Sequence, residues 1–417
     1  MPLILSLFFI IWPFGSLPLI LYLMYHQKKY SYHFLGILVS LFVMYYPPAG
    51  DQYRYWLDFQ EAMPLIDTIN SILSSNSVKK FSLIHPILST FREMGSNLEH
   101  IRFTLILISY YLCTNLFFST TENYKKTVAK KTYFFAFLVF FASIPVYAIM
   151  TGFRWGMATV LFFLAINNFF RSNRISGGIY ALFSCLFHFA IVPMFLLYLL
   201  FSLTQRIIWK YPVVLLSAAI ITSLSLDFLI TYLLKFTFFD FVSPYLAPEG
   251  IWRTGAIPYK ISLLAQISTL IFNFLFYIFL TVILIFIYRY KKEENESSTY
   301  LTALLTFAFM LIVVFLILRD FYTISGRIKS LVVIFSTYPI ILSKLQNKIS
   351  LSPQLYRLAS FFVVFSFIFL FLSLKKPLSA GGIDRFCYSS SYTIFCNTYS
   401  ENWVLNNVNE DGGIIKK

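Results

Sequence analysis

Residues 132–170 read TYFFAFLVFFASIPVYAIMTGFRWGMATVLFFLAINNFF, and the one charged side chain among them is Arg154. Two apolar runs, 132–150 and 154–170, flank the break at Thr151-Gly152. At about 1.5 Å per helical residue, each approaches the roughly 30 Å of a hydrocarbon core. Lipid offers backbone groups no partner, so such runs must satisfy their own hydrogen bonds as helices. The alternating pattern of a membrane β-barrel is absent.

The same pattern extends outward to 3–24, 33–46, 102–119, 212–235, 262–288, 299–318, 328–343 and 355–373. The chain of 417 residues is 58% hydrophobic and 12% charged, about half the charge of a soluble domain. These runs predict an all-α polytopic membrane protein of roughly 10–12 transmembrane helices in a single integral membrane domain, 1–417. One block, 177–203, is too short for two full spans and long for one. A re-entrant or broken helix turning between His188 and Pro193 fits it, and so does one tilted span. Residues 1–25 have neither a basic leader nor a small-residue cleavage site, which predicts a retained first helix.

The net charge of +15 raises nucleic acid as a partner, but no basic helix or stacking platform supports it. The cations mark topology instead. Loops 26–31, 120–131, 171–176, 204–211, 289–298 and 344–354 carry 15 Lys or Arg in 53 residues. Segments 47–100, 151–154, 236–261, 319–327 and 374–417 carry 14 in 137. The denser set is expected inside. Outside then lie a first long loop with interfacial helices (47–100), a Pro-containing loop (236–261) and the C-terminal tail (374–417). Cys113 and Cys185 fall in apolar blocks as small hydrophobes. Cys387 and Cys396 fall in the external tail, where they either close a short disulfide loop or stand as free thiols.

Ionisable groups near helix ends on that outer side are the candidates for chemistry. The first loop opens YYPPAGDQYRYWLDFQEAM, and Asp51, Arg54 and Asp58 share one face if it is helical, interleaved with Tyr53, Tyr55 and Trp56. Carboxylates beside aromatic rings suit a sugar, with Asp51 placed to take a proton. A solvated interfacial helix with local ion pairs fits the same spacing. Arg154 begins a helix, where a guanidinium fork and free N–H groups favour diphosphate; an interfacial, snorkelling role is the alternative. His188 stands where block 177–203 is expected to turn, suited to orient a hydroxyl or take its proton. Arg319, Asp320, Arg327 and Lys329 cluster around a short external loop, with Arg327 opening a helix as Arg154 does. Arg253 and Lys260 stand in the Pro-containing loop, able to close over a headgroup. No Walker A loop, dinucleotide fingerprint or HExxH is present, and the five His are scattered. No cofactor and no metal site are indicated.

Taken together, the Asp/Tyr-rich start of the first loop, GFRWGMA, FHFAIVP and GRIKSLVVIFSTYPII resemble the EpsG-like group of Wzy-type polysaccharide polymerases, in order, over about 45–345. The resemblance implies a glycosyltransferase-C-like enzyme of the bacterial cytoplasmic membrane with its active site facing out. Such an enzyme moves a growing glycan from undecaprenyl diphosphate onto a lipid-linked repeat unit. It implies lipid-linked donor and acceptor, a bilayer and a chain-length regulator as partners. By that resemblance Arg154 and Arg327 would bind diphosphate, with Arg319 and Arg253 of the outer loops as further candidates beside them. Asp51 or His188 would take the hydroxyl proton, and Arg54, Tyr53, Trp56 and Asp58 would hold glycan. Asp51 is followed by Gln52-Tyr53-Arg54 rather than by a plain Asp-Tyr pair. An O-antigen ligase or other lipid-linked-sugar glycosyltransferase would share the arginines. A flippase would place charge deep in a central cavity between pseudo-twofold halves, and no repeat is visible.

Overall fold

The computed structural model describes residues 2–48, 51–74, 82–233, 263–293, 300–346, 353–373, 389–396 and 399–409, and its elements there are helical. Prolines set several helix ends. The run 3–24 is not one helix. Pro13 lacks an N–H, and the chain passes through a 3₁₀ turn, Phe14–Ser16, between α1 (Pro2–Ile11) and α2 (Leu17–Tyr25). The helices α3 (Lys29–Met44), α4 (Asp51–Gln60), α5 (Leu65–Leu73), α6 (Ile84–Glu93) and α7 (Leu98–Thr121) follow. Pro145 splits the run 132–150 into α8 (Lys130–Ser143) and α9 (Val146–Thr151), and α10 (Phe153–Phe170) comes next.

Block 177–203 is broken. α11 (Arg174–Phe187) and α12 (Val192–Lys210) extend it at both ends and part at His188, whose backbone is extended (φ −154°, ψ 111°). Pro193, in the first turn of α12, cannot donate to a continuing helix. The Ala190 N–H donates to His188 Nδ1 at 3.1 Å and holds the break. A single continuous helix over the block is therefore ruled out.

The chain divides into two compact units: 1–168 with 174–192 and 367–417, and 169–173 with 193–366. In the first, α3 and α7 pack antiparallel. The Tyr32 ring sits edge-on between Phe118 and Phe137, with centroids at 5.1 and 4.5 Å. At one end of this pair, Lys29 pairs with Glu122 at 2.5 Å and Lys125 Nζ donates to the Gln27 carbonyl at 3.0 Å. These are two of the charge-dense loops. At the other end lie the first long loop and the C-terminal helices α18 (Ser390–Cys396) and α19 (Glu401–Asn407). There the Tyr399 hydroxyl donates to the Tyr45 carbonyl at 2.6 Å, Tyr45 Oη bonds Thr393 Oγ1 at 2.9 Å, and His100 Nε2 lies 2.5 Å from the Ile394 carbonyl. Charge-dense and charge-poor loops thus occupy opposite ends of this unit. Within the first loop, α5 leaves Ile66, Ile69 and Leu73 exposed and joins α6 through Thr68 Oγ1 and Ser89 Oγ at 2.8 Å. That is the pattern of an interfacial helix.

The second unit holds α12, α13 (Pro212–Leu233), α14 (Leu263–Glu293), α15 (Tyr300–Ile317), α16 (Tyr322–Gln346) and the start of α17 (Pro353–Ser373). Its interior is aromatic: Phe307 contacts Phe201 and Phe335, each at 5.2 Å between centroids. Charge-dense loops meet here too, with Lys291 Nζ donating to the Lys210 carbonyl at 2.8 Å. Seven described helices are long and apolar enough to cross a bilayer, and six shorter ones are apolar. The protein is an all-α polytopic membrane protein.

Candidate functional site

The site grows from the junction of α9 and α10. Gly152 ends one helix and precedes the other, and its carbonyl accepts the Trp155 N–H at 3.1 Å. Four residues on, Gly156 lies so close to α9 that an added Cβ would stand 2.2 Å from Ile149 N. Only a glycine allows that approach, which gives the GFRWG sequence its structural reason. It fixes Arg154 as the second residue of α10, in the first turn, at the positive end of the helix dipole. Arg154 is half-buried, and its Nε is buried without a hydrogen-bond partner.

The first loop reaches this point. α4 packs on α6, α7 and α9. Its Tyr55 ring lies against Phe153, with centroids 4.9 Å apart. Helical geometry sorts the rest of α4: Arg54 and Asp58 are exposed on one side, whereas Gln52, Tyr53, Trp56 and Phe59 are buried on the other. Tyr53 and Trp56 stack at 5.9 Å and face inward. The sequence expectation grouped these aromatics with the charges. A 3.6-residue period instead puts them on the packed side, and Tyr55 alone stands beside the rim. The backbone of Asp51 opens α4.

A second connection comes from α11. The Leu83 N–H, just before α6, donates to the Leu186 carbonyl at 3.0 Å. Ser184 Oγ donates to the Ala158 carbonyl at 2.8 Å, tying α11 to α10. His188 follows, 8% exposed, edge-on to Trp155 with centroids 5.6 Å apart. Its Nδ1 accepts the Ala190 N–H, so in the neutral ring Nε2 carries the proton and is the donor.

His85, the second residue of α6, is the member that sequence reasoning missed. It interacts electrostatically with both Asp58 and Arg154. Burial pushes its imidazole below the ordinary histidine range, Asp58 acts to raise it, and Arg154 acts to lower it. The His85-Pro86 pair was the only sequence signal, since proline favours a helix start. Around Arg154, Trp155 meets His188 from the α11–α12 break, and α4 reaches the start of α10 through Tyr55 on Phe153.

The other predicted residues belong to other segments. Arg327 and Arg319 belong to the second unit. Arg327 does not open its helix: α16 starts five residues earlier, at Tyr322, because Phe321 closes a turn and nothing after it interrupts the helix. Arg319 pairs with Asp320 at 3.5 Å. Lys329 donates to Asn273 Oδ1 at 2.6 Å. Arg253, Lys260 and Cys387, and the side chains of Asp51 and Cys396, lie outside the described residues. Among the described residues, no three His, Cys, Asp or Glu are grouped to hold a metal ion.

The EpsG family model matches residues 86–379, more than half of the chain. The chain belongs to the EpsG family. EpsG proteins are a Wzy-like polysaccharide polymerase family. No curated protein and no solved structure matches the chain. In this EpsG protein the matched region takes in Arg154, His188, Arg253, Arg319 and Arg327 and begins one residue after His85. The helix α4, with Arg54 and Asp58, precedes it, and Cys387 and Cys396 follow it.

Proposed function

We propose that this protein is a polysaccharide polymerase of the bacterial cytoplasmic membrane, acting at its outer face. It transfers a growing glycan from undecaprenyl diphosphate onto the sugar of a lipid-linked repeat unit. The observation that carries this reading is the Arg154 guanidinium at the start of α10, with a buried Nε that lacks a partner, in a chain of the EpsG family. A diphosphate leaving group gains negative charge as the glycosidic bond to it breaks. A guanidinium and helix N–H groups aimed at that charge favour the transition state over the ground state. His188, donating through Nε2, is suited to hold a sugar hydroxyl or a phosphate oxygen. Arg54, Asp58 and Tyr55 offer the exposed rim on which glycan would bind. Arg327 and Arg319 are proposed as phosphate ligands of the second unit, and Arg253 as one in the external loop.

A gel of surface polysaccharide from a deletion strain tests the reading. The expected result is core capped with a single repeat, with the long ladder lost and then restored by complementation. Polymer retained on undecaprenyl diphosphate would make the protein a ligase instead. Repeat units trapped on the inner leaflet would make it a flippase.

A further inference from the structure

The second unit carries a charge that the Arg154 site does not use. Lys329 of α16 reaches α14, where Asn273 Oδ1 accepts from its Nζ at 2.6 Å. Two rings complete the cradle. Nζ stands over Phe276 of α14 at 5.2 Å and over Phe315 of α15 at 5.9 Å from the ring centroids. The rings meet edge-on, 5.1 Å between centroids, so three helices fix the ammonium. All of these partners favour a cation, since an amide oxygen accepts and a ring face carries negative potential. None of them bears a charge. Among the described residues no carboxylate pairs with Lys329, and Asp320, the nearest in sequence, is paired with Arg319 at 3.5 Å.

Depth sharpens the point. The apolar span of α16 begins at Ile324, five residues before Lys329, which sets the lysine roughly 7 Å inside it. Asn273 lies three residues inside the span Leu270–Lys292 of α14. A cation at this depth without a countercharge is costly and marks a ligand site. α14 and α16 each end in a charge-dense loop, so Asn273 and Lys329 lie toward the opposite, charge-poor end. A helical side chain leans toward the helix N-terminus, which brings the ammonium back toward the turn of Gly326. That turn is open: Gly326 is exposed, and an added Cβ would meet nothing within 4 Å. Lys329 itself is only part-buried, and Asn273 occupies one of its three N–H donors.

We propose that Lys329, in the cradle of Asn273, Phe276 and Phe315, binds the phosphate of a membrane lipid. The charge calls for an anion, and the depth selects among anions. In a lipid-linked sugar the phosphate joins the hydrocarbon chain directly and the glycan lies beyond it, so a glycan carboxylate stays farther out. A carrier diphosphate and an anionic phospholipid share this chemistry. The choice of the carrier as occupant rests on the polymerase reading; the phosphate site does not.

The test uses full-length protein purified in detergent and titrated with undecaprenyl diphosphate, with phosphatidylglycerol and with undecaprenol, bound lipid being read by native mass spectrometry. Undecaprenyl diphosphate is expected to bind, and undecaprenol, which has no phosphate, to bind far more weakly. Lys329→Gln should weaken diphosphate binding about 10–100-fold, the value of one charge-assisted hydrogen bond. Lys329→Arg should keep most of it. Asn273→Asp leaves the lysine in place and answers its charge from within, so it should weaken binding comparably. A lysine that served packing alone would be held more firmly by that aspartate, with binding unchanged. Unfolding midpoints in detergent show which variants are folded. Wild-type binding in folded Lys329→Gln would overturn the proposal, as would equal binding of undecaprenol. If Lys329→Gln does not fold, Asn273→Asp decides, and wild-type binding there also overturns it. Phosphatidylglycerol binding that depends on Lys329 as strongly would uphold the site and make a phospholipid its occupant. Lys329-dependent binding in a protein whose deletion leaves the polysaccharide ladder intact would sink the polymerase reading alone.

Discussion

The His188 imidazole stands edge-on to the Trp155 indole, 5.6 Å between centroids and 88° between planes. This contact joins the residue after Arg154 to the break between α11 and α12, so the aim of Arg154 and the shape of the break depend on each other. Trp155→Ala should therefore impair polymer formation even though it leaves the arginine in place. Leu at the same position should recover bulk but not the ring-edge contact, worth about 0.5–1.5 kcal/mol. Ladder length on a gel and membrane abundance by immunoblot separate lost function from lost protein.

Arg154→Ala should reduce polymerisation by about 10²–10³-fold, the usual cost of one donor aimed at developing charge. Arg154→Lys should recover only part, because an ammonium cannot offer a planar two-pronged contact. Arg327→Ala tests the second unit separately. If both alanine variants insert normally and polymerise at the wild-type rate, neither arginine serves the diphosphate.

Glycines in this chain are predicted to differ sharply. Gly156→Ala places a carbon 2.2 Å from the Ile149 backbone nitrogen and should cost about 1–3 kcal/mol or more as α9 is forced away. Gly178→Ala, on exposed α11 surface with nothing within 4 Å, should be neutral or stabilising by up to about 1 kcal/mol. Thermal unfolding in detergent reads both, and equal midpoints would contradict the close approach.

Glu99 and Arg102, three residues apart on α7, form a buried ion pair at 3.4 Å, with Arg102 fully buried beneath the Tyr46 ring. Removing one partner leaves a buried charge uncompensated. Glu99→Gln should destabilise by about 3–5 kcal/mol, whereas Glu99→Gln with Arg102→Met should cost less than the single change. A double-mutant cycle from detergent unfolding gives the coupling, and simple additivity would refute it.

His85 also links stability to pH. Its folded value lies below its unfolded one, so the unfolded chain binds the proton more readily. The contribution is complete above the ordinary histidine value and is lost as pH falls through the folded value. Between about pH 7 and 5 the wild type should therefore lose more thermal stability than His85→Gln. Parallel losses in the two proteins would assign the effect to other groups.

Tyr399 ties the tail to the end of α3. Tyr399→Phe removes the hydroxyl that donates to the Tyr45 carbonyl at 2.6 Å and should cost about 1 kcal/mol. Limited proteolysis of the tail in membranes reads its release.

The sequence by itself determined that the chain is helical and membrane-embedded. An apolar run the width of a bilayer has no other way to satisfy its backbone. It also offered a break near His188 beside a single tilted span, since Pro193 and a polar ring in an apolar block are two defects for a continuous helix. The structure decided for the break. Arg154 at a helix start was legible for the same local reason: Thr151-Gly152 ends one run and the next begins at once. Which residues meet Arg154 was not legible. His85 lies 69 positions away in sequence, and no local rule brings it to α10. The Leu83–Leu186 bond ties the start of α6 to α11, and Ser184 ties α11 to α10. The inward turn of Tyr53 and Trp56 was likewise decided by what α4 packs against, because a spacing in sequence names the faces of a helix but not which face is covered. Local sequence sets where helices start and stop through backbone hydrogen bonding. Only the tertiary structure, through long-range burial, chooses which side chains share a charge.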